Sequence, residues 1–152
     1  MQDRSQDNLL RHVPIFQNLP DTYLSLIAQA FQVEHYNRGD FIFQQGERTR
    51  GLHLIVDGHA VLFRGLPTGQ FERLGTVQRG NYLNDAAIFQ DGTQTATLQA
   101  LNAVIALVLT RQNMALLLTQ YPDLSVALGF GVPIQTQPPD AKLKMQRENE
   151  AI

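Results

Sequence analysis

The run Leu52-His53-Leu54-Ile55-Val56-Asp57-Gly58-His59-Ala60-Val61-Leu62-Phe63 limits the fold more than any other part of the sequence. It reads as two apolar strands around Asp57-Gly58, and Asp-Gly between apolar strands is a strong short-range hairpin signal. A two-residue loop would set Val56 opposite His59, Leu54 opposite Val61 and Leu52 opposite Phe63. One face of such a pair is strongly apolar, and Ile55 with Leu62 makes the other face partly apolar. A sheet with a solvated side alternates apolar and polar residues. Strands apolar on both sides need cover on both, which predicts a sandwich or roll instead of a one-sided sheet.

The flanking sequence fits that expectation. Residues 1–8 are polar and read as a flexible lead. Residues 9–13 can make a helical turn or two, stopped by Pro14, and Ile15 with Phe16 begins a second apolar patch. Pro20 and Asp21 open a helix that ends near Ala30, with Tyr23, Leu26, Ile27 and Ala30 on one face. From Phe31 the pattern becomes β: Phe31, Val33 and His35 alternate with Gln32, Glu34 and Tyr36. A turn at 37–40 precedes a short strand at 41–43, 65–70 reads as a loop, and strands are expected at 71–77, 95–100 and 104–109. Thr110 is placed to cap a helix starting at Arg111, with Met114, Leu117 and Leu118 as its buried face. Pro122 and Asp123 open a short helix at 124–128 that Gly129 can end. Residues 129–139 then hold two glycines and three prolines, which no continuous helix survives. The expected division is a lead at 1–8, one domain at 9–128, and a linker with polar tail at 129–152.

Charge and composition remove several function classes. The formal net charge is −2, without the basic excess of a nucleic-acid surface. There is no cysteine, so thiolate zinc sites are excluded. The longest apolar run, 103–109, is too short to cross a bilayer, and the polar start does not resemble a signal peptide. These features predict a soluble, cytoplasmic chain. His53 and His59 do not face one another in the expected register, and no Ser-His-Asp order or glutamate pair stands out. Structural histidines and a non-enzymatic role are therefore expected, with no metal site.

The functional signal lies between Gly80 and Ala100. Gly80-Asn81-Tyr82-Leu83-Asn84-Asp85-Ala86-Ala87-Ile88-Phe89, continuing to Gln94-Thr95-Ala96-Thr97, reads as strand, tight turn, short helix, strand. Such a turn presents free backbone N–H groups at a helix start, a ready site for an anion.

These residues, with those around them, resemble the cyclic nucleotide-binding domain of catabolite-activator-like regulators, kinase regulatory subunits and gated channels. The resemblance spans residues 9–128. Val13-Pro14-Ile15-Phe16 and Leu19-Pro20 look like the helical lead-in; Tyr36, Gly39-Asp40-Phe41-Ile42-Phe43-Gln44-Gln45-Gly46 like the first glycine-punctuated strands. Leu52 to Gly58, 103–109, Arg111, Met114 and Tyr121-Pro122 match the later strands and the closing helix. The resemblance implies a mainly β fold, a double-stranded β-helix or jelly-roll-like β-roll with short α-helices at both ends. It implies a regulatory, ligand-sensing role in signal transduction. The implied ligand is cAMP, cGMP or another small anion, bound by Leu83, Asn84, Asp85, Ala86, Ala87, Gln94 and Thr95. It also implies a downstream effector module or protein partner, and a homo-oligomer as a candidate assembly.

The departures from the family pattern fall on the chemistry. Its phosphate-binding cassette reads roughly Phe-Gly-Glu-x-Ala-Leu, then Pro-Arg-Ser/Ala-Ala. Here Asn84 replaces the glycine, Asp85 the glutamate that accepts from the ribose 2′-hydroxyl, and Gln94 the arginine that pairs with the cyclic phosphate. Glutamine offers a neutral amide where arginine offers a charged fork. A charged hydrogen bond contributes roughly 1.5–3 kcal/mol, so affinity is expected to fall by about one to two powers of ten. Asparagine tolerates positive φ, so Asn84 is the mildest change. The amides of Ala86 and Ala87 are expected to remain open, and Arg79 is the candidate substitute cation. Two readings follow: a sensor with a weakened or altered ligand, or a ligand-free interaction and assembly domain of the same fold.

Overall fold

The computed structural model describes residues 4–129. Over these the chain runs α1 (Arg4–Arg11), a 3-10 turn at Pro14–Phe16, α2 (Asp21–Ala30), β1 (Gln32–Tyr36), β2 (Phe41–Phe43), β3 (Gly51–Asp57), β4 (His59–Gly65), β5 (Phe71–Gln78) and β6 (Tyr82–Leu83). A 3-10 helix at Asp85–Ile88 follows, then β7 (Thr97–Ala100), β8 (Val104–Thr110), α3 (Arg111–Gln120) and α4 (Asp123–Ala127). The strands form two four-stranded sheets, ordered β1-β8-β3-β6 and β2-β7-β4-β5, and every pairing is antiparallel. This is the expected mainly β roll with helices at both ends. α1 begins inside the stretch expected to be flexible, and the expected tail at 130–152 lies outside the described residues.

The strands on either side of Asp57-Gly58 do not form the expected hairpin. β3 enters one sheet and β4 the other, so Asp57-Gly58 is a corner between sheets. Leu54 lies opposite Leu107 and Tyr82, and Val61 opposite Thr76 and Gln99. Gly58 makes the corner feasible. Its φ is +89°, and a Cβ there would stand 2.1 Å from the Ala103 carbonyl oxygen, so no side chain fits. The hairpin of this region is β4–β5, whose loop is closed by Leu66 N–H donating to the Gln70 carbonyl at 2.7 Å.

The two apolar faces of β3 account for the layering. Leu52 and Leu54 point to a core shared with Leu10, Val13, Phe16, Ile27, Leu109, Met114 and Leu124, beneath the helices. Ile55 points the other way, into a second core between the sheets with Ile42, Phe43, Ala60, Leu98, Ala100 and Ala106. Side chains alternate along a strand, so one strand serves both cores. α2 buries Leu24, Ile27 and Ala28, with Tyr23, Leu26 and Ala30 packed at the margin. α3 buries Met114, Leu117 and Leu118, and Thr110 caps it by accepting from Asn113 N–H at 3.1 Å, both as expected. On β1 the more buried face is that of Glu34 and Tyr36, while Val33 is exposed. The reason is charge pairing: Arg50 donates two hydrogen bonds to Glu34, at 3.0 and 2.8 Å, and the Tyr36 hydroxyl donates to the same carboxylate.

Candidate functional site

The cassette is the connection from β6 to β7. β6 places Leu83 opposite His53 on β3. Asn84 then turns the chain with φ +63° and ψ +38°, the only positive φ outside glycine among the described residues. Asparagine suits this left-handed turn because its short polar side chain can bond locally. The 3-10 helix Asp85–Ile88 follows at once. Ile88, 1% exposed, anchors it in the core beneath the helices.

The seven residues singled out from the sequence have different environments. Asn84 and Gln94 meet: Asn84 Nδ2 donates to Gln94 Oε1 at 3.2 Å. Gln94 is buried, at 5% exposure, and its backbone is fixed at both ends. Its N–H donates to the Glu47 carbonyl at 2.7 Å, and its carbonyl accepts from Gly46 N–H at 2.8 Å. Leu83 and Ala86 are half-buried and Ala87 is buried, whereas Asp85 and Thr95 are exposed. The two amides expected to be open are not equivalent. Ala87 N–H donates to the Asn84 carbonyl at 3.0 Å and so is committed to the turn. The N–H groups of Asp85 and Ala86 have no acceptor among the described residues.

Arg79 does not take the place of the arginine that Gln94 replaces, whereas Arg48 and Arg50 line the same cavity as Gln94. Arg79 donates to the Val56 carbonyl at 2.7 Å, which ties it to the end of β3 and removes it as the substitute cation. Arg111, the first residue of α3, does reach the cassette, but from its carbonyl side. It donates to the Gln90 carbonyl at 3.0 Å and the Ala87 carbonyl at 3.4 Å, and approaches Asp91 at 3.4 Å. Asp91 also pairs with Arg48, and that contact holds its carboxyl below the usual range. Sequence reasoning missed this staple, although a signal was present. A cation at a helix start opposes the helix dipole and so calls for a specific partner.

Behind Gln94 lies a cavity of about 260 Å³ bounded also by Tyr36, Phe43, Arg50 and His53. His53 is fully buried and meets Phe43 edge-on, with ring centroids 5.4 Å apart. Its Nδ1 lies 3.2 Å from the Gly51 carbonyl, which can only accept, so Nδ1 carries the proton and Nε2 is an acceptor with no partner among the described residues. Burial pushes the ring down to about 4, so His53 is neutral at pH 7. Nearby, burial first and Glu34 second push Tyr36 up to about 12, and Arg50 holds Glu34 below its usual value. Among the described residues no group of three or more metal-ligating side chains gathers.

Residues 33–121 match the family model described as cyclic nucleotide-binding domain. Human cGMP-dependent protein kinase 2 is 29% identical over 113 residues, covering 73% of this chain and 15% of the kinase. The cAMP-dependent protein kinase regulatory subunit of Mycosarcoma maydis is 30% identical over 97 residues, covering 64% of this chain and 18% of that subunit. The chain thus spans less than a fifth of either relative. The N-terminal domain of a transcriptional regulator from Streptomyces coelicolor A3(2) has the same fold, with a TM-score of 0.74 at 24% identity over 94% of this chain and 93% of that one.

Proposed function

The chain belongs to the cyclic nucleotide-binding domain family, and from that premise we propose that its cassette senses a cyclic nucleotide through backbone amides and a neutral Gln94, with reduced affinity. It is a regulatory domain of the ligand-sensing kind. The observation that carries the proposal is the left-handed Asn84, which starts the cassette helix and leaves the Asp85 and Ala86 N–H groups without an acceptor among the described residues. Leu83 and Asp85 flank this position in the chain, Thr95 follows Gln94, and the small side chain of the half-buried Ala86 leaves room for a ligand to approach.

Occupancy would be read out through two links already present. Ile88 packs beneath the helices, and Arg111 holds the Ala87 and Gln90 carbonyls from the first turn of α3. A shift of the cassette helix therefore pulls on α3 and α4, and through them on an effector module or partner protein. The role is non-enzymatic and cytoplasmic in this reading; no described helix is long and apolar enough to cross a membrane.

The experiment is calorimetric titration of the protein with cAMP and with cGMP. Binding in the micromolar to millimolar range is the expected result. The Asn84–Gln94 hydrogen bond, in which two cassette side chains satisfy each other, favours the second reading of a ligand-free interaction domain. Absence of heat and of any thermal shift at millimolar nucleotide would establish that second reading and end the first.

A further inference from the structure

Three arginines line one open cleft beside the cassette. Arg48 and Arg50 come from the segment leading into β3, and Arg111 opens α3. With Thr49, Thr110, Gln112 and Ala115 they bound a space of about 550 Å³. Arg48 Nε and Arg111 Nη2 each lie 3.4 Å from one atom, Asp91 Oδ1. Two guanidinium groups are thus gathered by a single carboxylate. Arg50 is answered separately by Glu34.

The cleft is under-neutralised: three cations meet two carboxylates on a chain whose formal net charge is −2. The Arg48 and Asp91 side chains are 76% and 52% exposed, so their pairing contributes little and exchanges readily for a better anion. Guanidinium forks match phosphate oxygens in geometry and charge. The start of α3 adds its positive dipole end to the same side. A single phosphate can bridge the Arg48–Arg111 pair that Asp91 now holds, and a chain of phosphoryl groups offers further oxygens to Arg50, which lines the same cleft with its own carboxylate partner.

We propose that this cleft binds a polyphosphate chain, either inorganic or the phosphate tail of a nucleotide, which takes Arg48 and Arg111 from Asp91. The site is distinct from the Asp85 and Ala86 amides but adjoins the cassette: Arg111 also holds the Ala87 and Gln90 carbonyls, and Arg48 and Arg50 also line the cavity at Gln94. Polyphosphate in the cleft therefore competes for the staple between the cassette and α3.

The test is calorimetric titration of the whole chain at low ionic strength with tripolyphosphate, ATP and orthophosphate. The proteins are wild type, Arg48→Gln with Arg50→Gln, Asp91→Asn, and Arg64→Gln as an arginine control on another strand. Tripolyphosphate should bind wild type and the Arg64→Gln protein alike, and about tenfold or more weakly after the double change. Asp91→Asn should tighten binding several-fold, because the competing carboxylate is gone; a merely structural Asp91 would not give that sign. Tighter binding of ATP than of tripolyphosphate identifies the nucleotide as the source, and the reverse order identifies the inorganic chain. The proposal is overturned if tripolyphosphate does not bind, if orthophosphate binds as tightly, if the double change has no more effect than Arg64→Gln, or if Asp91→Asn fails to tighten binding.

Discussion

Asn84 donates to Gln94 across 3.2 Å, joining the two ends of the cassette by one neutral hydrogen bond. The residue that replaces the family's glycine thus satisfies the residue that replaces its arginine. Neither substitution is independent of the other, and the ligand site inherits their pairing.

Converting Gln94 to Arg together with Asp85 to Glu should raise affinity for cAMP or cGMP by about one to two powers of ten, measured by calorimetry. The ligand-free double variant should melt below wild type, because position 94 is 5% exposed and an arginine there has no anion. Saturating nucleotide should reverse that loss. A double variant that melts as wild type and gains no affinity would mean that position 94 does not face the ligand.

Asn84→Gly and Asn84→Ala separate the backbone from the hydrogen bond. Glycine accepts φ +63° freely and loses only the contact with Gln94, costing about 1 kcal/mol. Alanine loses the contact and also bears the left-handed strain, about 1–2 kcal/mol more. Urea unfolding should rank wild type above Gly above Ala. Alanine as stable as glycine would show that the left-handed turn relaxes at no cost.

His53 predicts the acid side of the stability curve. Its folded-state value is about 4 against the ordinary 6.5, so the unfolded chain takes up the proton first as pH falls. Stability is complete above pH 6.5 and declines between 6.5 and about 4, by roughly 3 kcal/mol in total. Below that range the histidine adds no further slope; Glu34, held low by Arg50, begins to lose its own contribution near its ordinary 4.5, overlapping the acid end of the His53 window. Urea midpoints of wild type and His53→Leu should differ in slope across this window. Parallel curves would exclude His53 as the cause.

Arg111→Gln should cut the link between cassette and α3. Two carbonyls lose a charged donor, so stability should fall by about 1–3 kcal/mol. Amide hydrogen exchange should rise at Phe89 and Gln90 more than in β4 or β5. A uniform rise across the chain would indicate general destabilisation without a local staple.

What could be read from the sequence was local. Thr110 as a cap and Met114, Leu117 and Leu118 as a face follow from helical spacing alone, and all are found. The Asp57-Gly58 stretch was legible as a tight turn but not as a corner between sheets, although Gly58 has the positive φ that either needs. A hairpin and a corner need the same glycine, and the choice rests on β8, which comes some fifty residues later in the chain. The inward face of β1 was hidden because Glu34 and Tyr36 look polar until Arg50 neutralises the carboxylate. The cassette was recognisable as a run of residues. That Gln94 would turn to Asn84, and that Ala87 would commit its amide to the turn, depend on the left-handed backbone at Asn84.

The order of the first sheet, with β8 between β1 and β3, has a consequence for how the domain is made. β1 has no partner, and β3 has only the two-residue β6, until Val104–Thr110 has been synthesised, so the sheet that carries the cassette is completed late. The β4–β5 hairpin joins neighbours in sequence, whereas β8 closes a long loop onto β1, the kind of non-local pairing that slows folding. A chain ending before Val104 would keep every cassette residue but leave β1 unpaired and β3 held by β6 alone.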